Sequence, residues 1–261
     1  MPIRSLPIIF AIVRNTFREA VRDRILYNLV LFVLLVTGSA IFLGELTAGQ
    51  EQRTIVDLGL SSMLLFGSFI SIFVGIGLVS KEIEKRTVFA IFAKPVSRGQ
   101  FILGKYLGLC LTLLVNVLVM GIGVSLAVLY VGGGKLALSI WPSIFLIYLE
   151  LTIVTGAAMV FSSFSTPALS ALLTFFVFLI GHFSSSLRDL AQALGSTAAQ
   201  IVFGAIYYVL PNLSNFSFIT NAAHGDLAPA TMVGWALLYA VIYDSILVTA
   251  AIVIFSRRNF K

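Results

Sequence analysis

Charge is scarce in this chain. Only 11% of its 261 residues are Asp, Glu, Lys or Arg, against about 25% in ordinary soluble domains. Histidine occurs twice and cysteine once. Cys110 therefore has no internal disulfide partner, and a metal cluster of thiolates and imidazoles has too few ligands. Catalytic material is equally thin, with no H-E-x-x-H pair and no serine nucleophile elbow. What the chain has instead is grease. Hydrophobic residues make up 59% and the mean hydropathy is +1.05, which excludes disordered, collagen-like and nucleic-acid-coating chains. Its solvent is a bilayer.

A helix crosses the hydrocarbon core, about 30 Å thick, with about 20 mostly apolar residues. Six stretches qualify: Ile25 to Gly44, Leu58 to Ser80, Tyr106 to Val131, Ile140 to Ser163, Ala168 to Leu187 and Val233 to Phe255. Together they take just over half the chain. The longest remainder, Arg188 to Met232, has 45 residues, too few for a soluble catalytic domain of usual size. Basic residues are retained on the cytoplasmic side of a membrane. An inside N-terminus puts 14 Lys and Arg in the inner segments and leaves only Arg53, Lys135 and Arg188 outside. Both termini are thus expected in the cytoplasm, and the net charge of +6 reads as a topology signal, with no nucleic-acid partner. A cleavable signal peptide is not expected, because the leader of 24 residues and the apolar run of 20 both exceed its usual lengths.

Before the first span, Leu6, Ile9, Phe10, Val13, Phe17 and Val21 recur at three- and four-residue steps opposite Arg14, Arg18 and Arg22. Residues 1–24 are therefore expected to hold an amphipathic helix whose apolar face sinks among acyl chains and whose arginines meet anionic headgroups of membrane lipids. The second inner connection, Lys81 to Lys105, is dense in charge and aromatics. Thr87 to Ala93 reads as a short helix offering Val88, Phe89, Ile91 and Phe92. It stops near Lys94, because Pro95 disfavours a helical predecessor. Ser97 and Gln100 then match a capping box that starts a new helix. Apolar aromatics bracketed by basic residues need cover from lipid or from a protein partner.

The residues Lys81, Glu82, Glu84, Thr87, Lys94, Pro95, Val96, Ser97, Arg98, Gly104 and Lys105 resemble the characteristic region of type-2 permeases of ATP-binding-cassette transporters. The closer likeness is to the branch concerned with multicopper-enzyme maturation. Leu210, Pro211, Asn212, Leu213 and Phe216 form a second match, and in the first match Arg86, just before Thr87, departs from the pattern, a small residue being commoner there. The resemblance implies an all-α integral membrane protein of six spans with an amphipathic N-terminal helix and re-entrant outer helices before the last span. It implies two cytoplasmic ATPase subunits, which would bind ATP and Mg2+, and a second permease copy or close homologue. Thr87, Val88, Phe89, Ile91, Phe92, Lys94, Pro95 and Arg98 would then couple this chain to the ATPases. No cofactor is expected on the chain itself, since no G-x-x-x-x-G-K-[ST] loop occurs. Gly132, Gly133, Gly134 and Lys135 read as a turn.

Glu150 and Asp244 are the expensive residues, each costing about 2.5 to 3.5 kcal/mol at a helix centre unless paired or neutralised. Both lie at similar depth. They read either as conduit groups or as packing groups bonded to Tyr148, Tyr243 or Asn116, and His182 reads as a packing residue. Gly67, Gly75, Gly77, Gly121, Gly123 and Gly156 are expected to let helices approach closely. Thr197 to Leu210, 14 apolar residues ending before Pro211, are too short to cross and are expected to dip into the outer leaflet, with Pro211, Asn212 and Phe216 marking the return. Tyr243 and Asp244 resemble half of an intramembrane aspartyl-protease site, but Ala223 stands where its other half needs glycine. The competing transport reading is a proton- or ion-coupled carrier working through Glu150 and Asp244.

Overall fold

The computed structural model describes residues 5–22, 26–44, 49–84, 96–184, 186, 189, 204, 207 and 209–257. Among them the regular structure is entirely helical. The helices are α1 (Ser5–Ala20), α2 (Leu26–Gly44), α3 (Glu51–Glu84), α4 (Arg98–Tyr130), α5 (Gly134–Ser139), α6 (Trp141–Ser162) and α7 (Pro167–His182). A 3₁₀ turn (Leu213–Phe216), α8 (Ile219–Ala223) and α9 (Ala230–Arg257) follow. Among the described residues four stretches, Glu51–Gly77, Arg98–Tyr130, Gly134–Ser162 and Ala230–Arg257, are long and apolar enough to cross a membrane.

The centre of the bundle is α6. Its side chains are apolar on every side, the pattern of a helix surrounded by other helices or by lipid. Here it is surrounded by helices, with α3, α4, α7 and α9 packed on it. Leu146, Leu151, Ile153 and Ala158 are fully or almost fully buried. Close approach is bought with small residues. A Cβ at Gly67 of α3 would lie 2.4 Å from a Leu151 methyl, and one at Gly156 of α6 would lie 3.0 Å from Leu247 of α9. Hydroxyls inside this apolar setting bond back to their own helix: Ser71 to the Gly67 carbonyl (2.9 Å), Thr155 to that of Leu151 (2.8 Å) and Thr174 to that of Ser170 (2.7 Å).

The helix bounds add detail to the apolar runs read from sequence. The helix of the second span begins at Glu51 and runs to Glu84, and that of the third begins at Arg98, so both extend well past their apolar runs. In the region expected to hold the fifth span, the described helix is short. This helix, α7, has 16 residues, about 24 Å, and ends at His182. The chain returns across that end, since a Cβ at Gly181 would lie 2.6 Å from the Pro211 carbonyl oxygen. The glycine turn has the expected place, with Gly132 at φ +85°, but Gly134–Ser139 adds the unanticipated short helix α5. Helix α1 is amphipathic as expected, yet its buried face rests on protein. Thr16 and Ala20 are buried against α4. Leu6 and Phe10 stay exposed, 72% and 69%, on the side left for lipid. The expected short helix Thr87 to Ala93 and most of the Thr197 to Leu210 run lie outside the described residues.

Candidate functional site

Immediately after residues 85–95, three helices are tied together. Helix α4 starts with the anticipated capping box: Ser97 Oγ accepts from the Gln100 amide (3.2 Å), and the Ser97 amide donates to Gln100 Oε1 (3.0 Å). Two otherwise orphaned backbone donors are satisfied, which fixes the first turn. Arg98, the next residue, donates through Nη1 to the carbonyls of Ser256 (2.6 Å) and Phe255 (3.4 Å) at the end of α9. A cation at a helix C-terminus also meets the negative end of its dipole. One turn further on, Phe101 stacks on Phe255 with ring centroids 5.9 Å apart, and both rings are buried.

The same end of α4 grips α1. A Cβ at Gly104 would lie 2.7 Å from Ile12, and one at Gly108 would lie 2.6 Å from Thr16, so only glycine allows this approach. Between them Lys105 is 2% exposed and donates to Glu19 Oε2 at 3.1 Å, with its ammonium 5.7 Å from the Phe101 ring centroid. A buried ammonium without such a partner would be strongly destabilising. This ion pair was not foreseen. Lys105 counted only toward topology and the family likeness, and Glu19 is the sole acid of α1.

Of the coupling residues read from sequence, Arg98 is described, and Thr87, Val88, Phe89, Ile91, Phe92, Lys94 and Pro95 lie outside the described residues. The described ends that flank them are Glu84 of α3 and the Ser97 cap of α4.

The intramembrane carboxylates occupy opposite sides of α6. Glu150 is 1% exposed, and its Oε1 lies 3.4 Å from Nδ1 of His182 on α7. Asp244 of α9 accepts from Thr152 Oγ1 at 2.9 Å. Residues two apart on a helix point about 200° apart, so the similar depth of the two acids does not bring them together. The expected partners are placed elsewhere. Asn116 donates to the Thr112 carbonyl of its own helix (2.9 Å), Tyr148 to the Cys110 carbonyl (3.4 Å) and Tyr243 to the Val209 carbonyl (2.9 Å). His182 and Thr152 take the roles that sequence had offered to them.

The third polar centre is Asn212, which is buried. Its Oδ1 accepts from Ser184 Oγ (2.6 Å), Ser214 Oγ (2.5 Å) and the Ser214 amide (3.2 Å). Its own amide nitrogen donates to Tyr239 of α9 (2.9 Å), and its Nδ2 to Tyr207 (3.3 Å). Phe216, fully buried, packs on the Tyr239 ring at 6.1 Å. Pro211 is buried beside them, and the residues around it form an extended stretch and a 3₁₀ turn. The motif is a knot joining the end of α7 to α9.

Long apolar helices packed in this way, with polar groups paired inside, define a multi-pass membrane protein. The chain belongs to the ABC-2 family of transporter proteins, whose family model matches residues 10–260. It is similar to the "Probable ABC transporter permease protein NosY" of Pseudomonas aeruginosa, with 29% identity over 238 residues, 89% of this chain and 78% of that protein. It is accordingly a type-2 permease subunit of an ABC transporter, a transport subunit rather than an enzyme, and its family works with an ABC ATPase.

Proposed function

We propose that this chain is the membrane-spanning half of an ATP-driven exporter, with six spans, both termini in the cytoplasm and the cytoplasmic membrane as its site. Two ATPase subunits, holding ATP and Mg2+, would dock on residues 81–105, and a second permease copy or close homologue would complete the pathway. The observation that carries this reading is the family match over residues 10–260, joined to the likeness of the Lys81 to Lys105 segment to the family's ATPase-contacting region. The tie of α1, α4 and α9 directly behind that segment supports it, because a push there reaches three helices at once. Closure of the ATPase pair would bias the bundle between two states, and hydrolysis would reset it. Membrane lipids would cover the exposed apolar faces.

The test is to isolate the complex from its native membrane through a tag on this chain and identify the co-purifying subunits. Alanine at Phe89 and Phe92 should then weaken capture of the ATPase, or uncouple its hydrolysis, with insertion unchanged. An untouched coupling ratio, or cargo moved by the permease without any ATPase, overturns the reading.

A further inference from the structure

At the end of α4 remote from α1, an open cleft of about 1060 Å³ lies between the start of α3, the turn from α4 to α5 and the end of α8. Its walls are unusual in backbone. Gly49 (φ +83°), Gly132 (φ +85°) and Gly225 (φ +91°) are the glycines of positive φ among the described residues, and all three line it. L-residues rarely adopt that conformation, so three separate turns depend on glycine to shape one hollow. At Gly49, Gly132 and Gly134 an added Cβ would meet nothing within 4 Å, so bare backbone faces open space.

The cleft also concentrates rare charge. Sequence assigns three basic residues to the far side of the membrane, and two of them, Arg53 and Lys135, line this wall. Arg53 is held by His224: Nδ1 of the imidazole lies 2.6 Å from the Thr220 carbonyl and donates to it, which leaves Nε2 as the acceptor that meets the Arg53 guanidinium. The imidazole orients the guanidinium through Nε2 and supplies no negative charge of its own. Among the described residues no carboxylate lies within ion-pair distance of Arg53 or Lys135. Glu51 also lines the cleft, and Asp57 lines an adjoining one of about 500 Å³ that shares Arg53 and His224. Neither acid forms an ion pair with these cations, and the lining of the main cleft carries two cations to one acid.

We propose that this cleft binds a phosphate group, with Arg53 and Lys135 supplying charge-assisted hydrogen bonds and the glycine walls letting a tetrahedral anion approach the backbone. The phosphate belongs to an anionic lipid headgroup or is free in solution. The proposal rests on the reading above only for the side of the membrane it faces.

The experiment uses the full chain purified without its ATPase. Native mass spectrometry from vesicles of equal phosphatidylglycerol and phosphatidylcholine reads lipid retention, and calorimetry with inorganic phosphate reads the free anion. The variants are R53Q with K135Q, which remove charge, and G134L, which fills open space and keeps it. Preferred retention of phosphatidylglycerol, falling about tenfold in both variants, assigns a headgroup site, tenfold being roughly the worth of one hydrogen bond to a charged group. Saturable inorganic phosphate binding lost in both variants, with no lipid preference, assigns a free-phosphate site. Equal behaviour of wild type and variants in both arms overturns the proposal. Phosphate binding by a chain that captures no ATPase in a separate pull-down would leave the cleft standing and sink the transporter reading instead.

Discussion

Arg98 Nη1 lies 2.6 Å from the carbonyl oxygen of Ser256, joining the first residue of α4 to the last turn of α9 across 158 positions of sequence. The bond converts two helix ends into one mechanical piece. It sits directly behind the segment that the family likeness assigns to ATPase contact.

Replacing Arg98 with glutamine should release the final turn of α9. Hydrogen bonds to a charged group contribute about 1.5 to 3 kcal/mol, so the loss is of that order where the site is shielded and smaller where water reaches it. Hydrogen exchange should rise at residues 250–257 and stay unchanged in α6. Lysine, which keeps charge at the helix end but not the forked donor geometry, should recover part of the protection. Unaltered exchange in the glutamine variant would deny the tie.

Leucine at Gly108 should push α1 off α4, because even its Cβ would fall 2.6 Å from Thr16. The backbone around the already exposed Arg14, Arg18 and Arg22 then loosens, and limited trypsin proteolysis of the detergent-solubilised chain should cut there several times faster. Gly38→Ala is the control, since nothing lies within 4 Å of its Cβ. Equal cutting in both variants would show that α1 does not depend on this approach.

Alanine at Asn212 should unpick the knot between α7 and α9. It strands Ser184, Ser214 and Tyr207 at once, and at about 1 kcal/mol per hydrogen bond the loss is about 2 to 4 kcal/mol. Ser184→Ala should cost about 1 kcal/mol, a single bond. Thermal unfolding in detergent ranks the two, and a larger effect at Ser184 would contradict the hub.

Glutamine at Glu150 should leave substantial ATP turnover in a reconstituted complex, because its amide still fills the site beside His182. Asp244→Asn should behave alike beside Thr152. A carrier driven by protons would instead lose its motor with either carboxylate. Collapse of turnover in both well-folded variants would make these acids working parts.

Local features were legible in sequence. The Ser97 and Gln100 cap, the amphipathic α1 and the cost of Glu150 and Asp244 follow from residue chemistry at short range. So does the close packing at Gly67, Gly75, Gly121 and Gly156, all of which face side chains of another helix. What escaped depends on contacts between distant segments. The pairing of Glu19 with Lys105 spans 86 positions and exists only because Gly104 and Gly108 let α1 settle on α4. The early end of α7 reflects the return of Pro211 across Gly181, a crossing that hydropathy cannot report. The opposite orientation of the two acids needed the identity of their partners, His182 on α7 and Thr152 on α6. Helix α4 outruns its span because capping chemistry, rather than apolarity, sets its start.

Helix α6 is hemmed in by four neighbours, whereas α9 leaves Trp235, Leu238, Val241 and Ile246 uncovered. A rod so enclosed serves as an axle: it cannot swivel unless everything around it shifts. Rearrangement is cheapest for the peripheral α9, whose outer surface slides through fluid acyl chains. A fluorescent label placed there would register the proposed switch between two states, and one on α6 would stay silent.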